Sequence, residues 1–213
     1  MTAIALPEHS MNETILAPAG DPVGLTLTIT PWPHFGPFDS TGMSGLQSRV
    51  DSTAGTLTLS IVAHEPQSTA LGRLRLLMEE ALPILRRLEN ATATLTHSGV
   101  ILDSNQLDAA LADWTDETVP VHSLIAFDFA VSGAPPGACS IGLAALIGQE
   151  IIAWPPDETL RLVCARMVVR LAHDMLLHGP IMGERVFPAP DAPQGQVTLV
   201  PRNMPEPVVQ IRF

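Results

Sequence analysis

The sequence predicts an α+β fold in which helices pack on one face of a predominantly antiparallel sheet. Short segments with alternating apolar and polar residues predict half-buried strands, and two longer segments with apolar residues three and four positions apart predict helices. The order strand, strand, helix, strand occurs twice along the chain. This order raises the hypothesis of two related β-β-α-β halves, residues 21–113 and 121–213, within a single domain of residues 21–213.

The first half combines three predicted strands with two predicted helices. Its alternating segments predict strands at 25–30, 56–64 and 91–102. The apolar spacing predicts a helix at 68–89, which Pro83 is expected to kink or divide because its ring crowds the preceding turn. Asp103 and Gln106 have the spacing of a capping box, which predicts a short helix at 104–113.

The second half contains the most apolar stretch of the chain. Its strands are predicted at 125–131, 197–199 and 208–213, and one or two further strands are predicted within 139–154. A long helix is predicted at 158–178, where Asp157 can cap the first turn and Gly179 can end the last one. The apolar face of this helix is expected to comprise Leu160, Val163, Cys164, Met167, Leu171 and Met175. The basic residues expected on its opposite face are Arg161, Arg166 and Arg170.

Two segments show no regular pattern. Residues 1–20 are interpreted as a loose N-terminal arm, and residues 31–55 as a loop rich in Pro, Gly, Ser and Asp. A loop of this length is uncommon in a compact domain and is often functional. It either packs its own rings together or acts as a lid or partner-binding flap. On the second interpretation, the partner-binding residues are Trp32, His34, Phe35 and Phe38.

The composition excludes several classes of partner. The net charge of −11 argues against nucleic acid and anionic membranes, because both require a concentrated positive surface. Charged residues make up only 15% of the chain, which favours a homo-oligomer that covers part of this charge-poor surface. No apolar stretch reaches about 18 residues, and no basic leader precedes an apolar run. We therefore expect a cytoplasmic protein without a membrane span.

The sequence contains no familiar catalytic, phosphate-binding or metal-binding motif, and no cofactor is expected. His64, His97 and His122 lie at or near the ends of predicted strands, and we interpret them as polar strand tips because no pair has metal-ligand spacing. Cys139 and Cys164 are interpreted as buried free thiols, with one disulfide as the alternative.

Glu150 is the acid that stands out, because it lies within an apolar stretch. An acid in such surroundings needs a partner or a position in an exposed turn. A hairpin turn at Gly148–Gln149 would expose Glu150, and this interpretation is favoured. The alternative is a functional acid at Glu150, positioned by the turn at Gly148.

Several short motifs resemble those of an uncharacterised bacterial family, domain-of-unknown-function family forty-two sixty-one. They are Ser140-Ile141-Gly142-Leu143, Gly148-Gln149-Glu150-Ile151, Leu177-His178-Gly179 and Gly183-Glu184. The resemblance covers most of the chain from residue 24 onward. It implies no particular reaction, because no activity is established for that family.

These observations favour a non-catalytic cytoplasmic module that binds a protein partner, as an accessory or immunity-type protein. The first alternative is a small enzyme such as a hydrolase, with Glu150, His97 or His34 acting in a cleft under the 31–55 loop. The second is a small-molecule-binding domain that performs no chemistry. Two of those groups within hydrogen-bond reach in a pocket would favour the enzyme, and an exposed apolar patch would favour the binding module.

Overall fold

The computed structural model describes residues 26–30, 57–60, 69–86, 92–95, 97–203 and 206–213. The predicted N-terminal arm, the 31–55 loop and His64 lie outside these ranges. What the sequence predicts for them stays a prediction.

The described strands form two sheets. In chain order they are β1 (Thr26–Thr30), β2 (Leu57–Ser60), β3 (Thr92–Leu95), β4 (Ile101–Leu102), β5 (Ala126–Val131), β6 (Gly137–Ile141), β7 (Glu150–Ala153), β8 (Arg185–Pro188), β9 (Gln196–Asn203) and β10 (Pro207–Arg212). The four-stranded sheet has the order β2-β1-β3-β4, and the six-stranded sheet has the order β5-β6-β7-β10-β9-β8. Among these described strands, β7 and β10 pair in parallel, while the other neighbouring strands pair antiparallel.

Helices accompany both sheets. They are α1 (Ala70–Leu85), α2 (Ser104–Ala112), α3 (Val121–Leu124), α4 (Leu143–Ile147) and α5 (Arg161–His178). The prediction of an α+β fold with a predominantly antiparallel sheet is therefore confirmed. Among the described helices, none combines the length and the apolar character needed to span a bilayer.

The two sheets differ in how their helices connect the strands. In the first sheet, α1 leads from β2 to β3, and β3 pairs with β1. In the second sheet, α5 leads from β7 at the centre to β8 at the far edge. That the halves 21–113 and 121–213 are related stays a hypothesis. The strand orders of the two sheets differ.

Helix α5 is the main helical contact of the six-stranded sheet and packs across β6 and β7. The Asp157 carboxylate accepts hydrogen bonds from the backbone N–H groups of Thr159 and Leu160, and a 3₁₀ turn at Glu158–Leu160 leads into the helix. Gly179 ends it with a φ of 90°. The helix predicted at 158–178 is thus confirmed, together with both of its termini.

The buried face of α5 contributes to a continuous apolar core. It comprises Cys164, Met167, Val168, Leu171, Ala172, Met175 and Leu176. Complete burial of a side chain of the size of Leu or Met contributes roughly 1.5–3 kcal/mol. This face therefore supplies a large part of the attachment between helix and sheet.

Two helices of the first half show what local signals can and cannot predict. The capping box at Asp103 and Gln106 is present: the Asp103 carboxylate accepts the N–H of Gln106 at 2.8 Å, and the Asp103 N–H donates to Gln106 Oε1 at 2.9 Å. Pro83, however, lies within α1 and does not divide it. It lies exposed in the last turn, where the helix loses one backbone hydrogen bond, to the carbonyl of Glu79.

The segment 91–102 contains two strands rather than the single predicted one, and the segment 139–154 contains a helix beside the two strands that the sequence allows. Residues 91–102 include the hairpin of β3 and β4, with Gly99 at a φ of 72° in its turn. Residues 139–154 contain helix α4 between β6 and β7, bounded by Gly142 and Gly148 at φ values of 93° and 83°. The predicted hairpin turn at Gly148–Gln149 is therefore wrong, because the short apolar run before it forms a helical turn.

Candidate functional site

Glu150 anchors the start of α4. Its Oε1 atom accepts hydrogen bonds from the N–H groups of Gly142 at 2.8 Å and Ala144 at 3.0 Å, and its Oε2 atom accepts the Ser140 hydroxyl at 2.5 Å. Ser140 Oγ in turn accepts the N–H of Ile151 at 2.8 Å. The half-buried carboxylate is thus partnered within the fold, and its local role is structural.

The residues before Glu150 also have structural roles. Gly148 ends α4, and its N–H donates to the carbonyl of Ala144 at 2.7 Å. The buried Gln149 side chain donates to the carbonyl of Ile181 at 3.0 Å and accepts the Ile181 N–H at 2.9 Å. This pair of bonds joins the start of β7 to the segment that follows α5. The predicted functional turn at Gly148 is instead a helix terminus.

Gly142 brings the two sheets into close contact. A Cβ atom at this position would lie 2.6 Å from the backbone oxygen of His97 and 2.7 Å from Cβ of Ser98. Because a φ of 93° also disfavours any side chain, glycine is required here for two reasons. The β3–β4 turn therefore rests directly on the chain that leads from β6 into α4.

Of the three histidines that the sequence highlights, His97 and His122 lie within the described residues and have separate surroundings. Burial lowers the pKa of His97 although a backbone hydrogen bond at Leu124 raises it, and its Nε2 atom is buried without a hydrogen-bond partner. His122 instead contacts the edge of the Phe127 ring, with 5.6 Å between the ring centroids. Across the described part of the chain, no group of His, Cys, Asp and Glu is placed to hold a metal ion.

The two cysteines are free thiols without the features of a nucleophile. Burial raises the pKa of Cys164 to about 11, and that side chain lies on the core face of α5. Burial and the nearby Asp128 charge also raise the pKa of Cys139. Both groups are therefore protonated at neutral pH, whereas a nucleophilic cysteine has a lowered pKa.

A groove of about 770 Å³ lies between α5 and the β5–β6 hairpin, and we call it the α5 groove. Its α5 wall carries the apolar side chains of Leu162, Ala165 and Val169. Its hairpin wall carries Phe129 and the small residues Gly137 and Ala138. Leu162 is 62% exposed and Phe129 is 43% exposed, so both side chains are available to a partner.

The apolar wall of the groove is a second stripe on α5, distinct from the stripe that faces the core. Leu162, Ala165 and Val169 are spaced by three and four residues and therefore lie on one side of the helix. This stripe was not among the predictions, because the side of α5 opposite the core was expected to carry arginines. The spacing itself was the signal that could have revealed it.

The rim of the groove reverses the charge balance of the chain. Three arginines and one glutamate line it, whereas the whole chain has 11 basic and 22 acidic residues. Arg161 is paired with Glu158 at 3.0 Å, and Arg166 lies 3.8 Å from Asp191. These pairs are exposed and contribute little to stability.

Arg170 differs from the other two arginines of the rim. Its guanidinium carbon lies 5.4 Å from the centroid of the Phe187 ring, a cation–π contact. Within the described residues, its guanidinium pairs with no carboxylate. Arg170 therefore presents the uncompensated positive charge of the groove, whereas Arg166 has a weak, exposed partner in Asp191.

Aromatic residues support the opposite wall. The Phe127 and Phe129 rings are stacked with 6.0 Å between centroids, and His122 contacts the edge of Phe127. These ring contacts hold the exposed Phe129 side chain in place.

The predicted partner-binding residues Trp32, His34, Phe35 and Phe38 lie outside the described residues, so their role stays a prediction. No protein family, curated protein or solved structure matches the chain. The site is therefore interpreted from its own geometry.

Proposed function

We propose that this chain is a non-catalytic protein-binding module and that the α5 groove docks an acidic, apolar-bearing segment of a partner protein. The observation that supports this proposal is an open apolar groove with a positive rim on a strongly acidic chain. Charge of opposite sign favours an acidic partner segment and increases its rate of association. An accessory or immunity-type role in the cytoplasm belongs to the same proposal and rests on composition.

The groove chemistry favours binding over catalysis. His122 and Glu158 both line it, but Glu158 is 66% exposed and is paired with Arg161. An acid and a base that act in catalysis usually rely on burial to separate their pKa values. Glu150 makes its hydrogen bonds to Ser140 and to backbone N–H groups rather than to a histidine.

The energetics favour modest affinity. Burial of one exposed side chain such as Leu162 contributes roughly 1.5–3 kcal/mol, and several such contacts offset the cost of association. Exposed arginine contacts add specificity and speed more than affinity. We therefore expect dissociation constants in the micromolar range, near 8 kcal/mol of binding free energy.

Site-specific photo-crosslinking tests the proposal. A photoreactive amino acid replaces Leu162 in the groove or, as a control, Leu76 on α1, which is 48% exposed. We expect an adduct from the groove position only. Mass spectrometry is expected to map the adduct to an acidic segment of another protein.

A charge-reversed variant, Arg166→Glu with Arg170→Glu, completes the test. It should abolish the adduct, while circular dichroism confirms that the variant is folded. A control with the same change in charge, Arg202→Glu with Arg212→Glu, alters exposed arginines of β9 and β10 and should retain the adduct. Three outcomes would overturn the proposal: an adduct with a second copy of this chain, an adduct with a basic segment, or equal adducts from all variants.

A further inference from the structure

We infer that the segment bound in the α5 groove is an α-helix whose acidic side chains, one turn apart, face Arg166 and Arg170. This inference rests on the proposed function and specifies the conformation of the partner. It is carried by three features of the walls: the irregular edge of the hairpin, the exposed ridge of α5 and the small alanines between them.

The hairpin wall offers only an irregular strand edge. β6 is paired on both sides, with β5 and β7. β5 is the edge strand, but its pairing register shifts between Asp128 and Val131. The Asp128 carboxylate also accepts the N–H of Ala130 at 2.7 Å, which occupies a donor of this edge. Irregular edges of this kind oppose the addition of a further strand.

An α-helix satisfies its own backbone hydrogen bonds and needs only side-chain contacts from the walls. The groove supplies such contacts. Leu162, Arg166 and Arg170 form one row at four-residue spacing on α5, and Ala165 and Val169 form a neighbouring row. Rows of this kind are the ridges between which the side chains of a second helix pack.

Small residues leave room for the second helix. Ala165 lies on the α5 wall and Ala138 on the hairpin wall, whereas the Trp154 ring occupies the space beside Gly137. Because helices approach to about 8–10 Å when the contact residues are small, an apolar side chain of the occupant can enter between the walls. Phe129 and Leu162 then contact this side chain from either side of the groove.

The arginines define the charge pattern of the occupant. Arg166 and Arg170 are separated by one turn, about 6 Å along the α5 axis. Two acidic residues at positions i and i+4 of a bound helix have the same separation. The α5 part of the groove, from Arg161 to Arg170, is about 13.5 Å long, which corresponds to about two and a half helical turns of the occupant.

Synthetic peptides of about 12 residues test this inference by fluorescence anisotropy with the full chain. The first peptide is an amphipathic helix with Glu at i and i+4 beside a Leu stripe, held helical by a side-chain staple. The second has the same composition but a central proline in place of the staple. The third keeps the staple and moves both Glu residues to the opposite face.

We expect the first peptide to bind, and the second and third to bind at least about tenfold more weakly, at about 0.15 M salt. The charge-reversed variant of Arg166 and Arg170 should lose the first peptide. It should bind a version with Lys in place of both Glu residues. The control variant of Arg202 and Arg212 should behave like the unaltered chain.

The outcomes separate the two proposals. Equal binding of the stapled and proline peptides would show that no helix is required, although an acidic segment still docks. Equal binding of the first and third peptides would refute the proposed reading of the acid spacing. If none of the three acidic peptides binds, or if charge reversal has no effect on binding, the proposed docking function itself is wrong.

Discussion

The Glu150 carboxylate accepts the backbone N–H of Gly142 at 2.8 Å, at the point where the chain leaves β6 for α4. This bond joins the first residue of β7 to the residue before α4, across eight positions of sequence. It gives a structural explanation for an acid that otherwise resembles a catalytic candidate. The relationship also makes the role of Glu150 measurable.

Replacement of Glu150 should lower the stability of the fold rather than weaken partner binding directly. Glu150→Ala leaves the N–H groups of Gly142 and Ala144 and the Ser140 hydroxyl without their acceptor. We expect the free energy of unfolding to fall by about 1–3 kcal/mol in urea denaturation. Glu150→Gln keeps one acceptor oxygen and should lose less. Glu184→Ala, at an exposed position, is the control, and a loss equal to that of Glu150→Ala would contradict the structural role.

A series of glycine replacements separates backbone strain from steric contact. Gly183→Ala introduces neither backbone strain nor a steric contact, so the free energy of unfolding should change by less than about 0.5 kcal/mol. Gly148→Ala meets open space but has a φ of 83°, and should cost about 1 kcal/mol. Gly142→Ala adds contact with the backbone of His97 and should cost the most. Thermal or urea denaturation measures the order, and similar losses at Gly142 and Gly148 would argue against close packing of the β3–β4 turn.

Gln149 should be sensitive because both of its hydrogen bonds are buried. Gln149→Ala leaves the N–H and carbonyl of Ile181 unpaired, which should lower the free energy of unfolding by about 1–3 kcal/mol. Gln194→Ala, at an exposed position, should have little effect. Hydrogen exchange at the Ile181 amide provides a local readout. Unchanged protection of that amide in Gln149→Ala would show that the side chain does not hold the segment.

His97 should make stability depend on pH. Because burial lowers its pKa from 6.5 in the folded state, the unfolded chain binds the proton more readily. The contribution of His97 is therefore fully present above about pH 6.5 and is lost as the pH falls towards the folded-state pKa. Urea midpoints between about pH 5 and pH 8 should shift less in His97→Gln than in the unaltered chain. The same pH dependence of the urea midpoint in His97→Gln and in the unaltered chain would contradict a half-buried, neutral His97.

Local signals were sufficient for some elements and insufficient for others. Asp157 and Gly179 predicted the ends of the long helix, because a cap and its partners lie within a few residues of each other. Helix α4 was missed because its start depends on Glu150, eight residues after Gly142, and its apolar residues also suit a strand.

The groove could not be predicted from local signals alone. Its charge pattern lies on one helix, but its second wall comes from Phe129 and Gly137 on other elements. Arg166 and Arg170 could be placed on the solvent side of α5 from spacing, yet only the fold shows that an apolar wall faces them. Chemistry that depends on the joining of distant segments is therefore visible only after folding.

The parallel pairing of β7 with β10 has a consequence for synthesis on the ribosome. β7 ends at Ala153, whereas its parallel neighbour β10 spans Pro207–Arg212. The centre of the sheet therefore lacks β10 while the residues between the two strands are translated. During that interval, the edge of β7 that β10 will cover lacks its final neighbour. The nascent chain therefore depends on prompt emergence of β10, and a ribosome stalled shortly before residue 207 would hold an aggregation-prone intermediate.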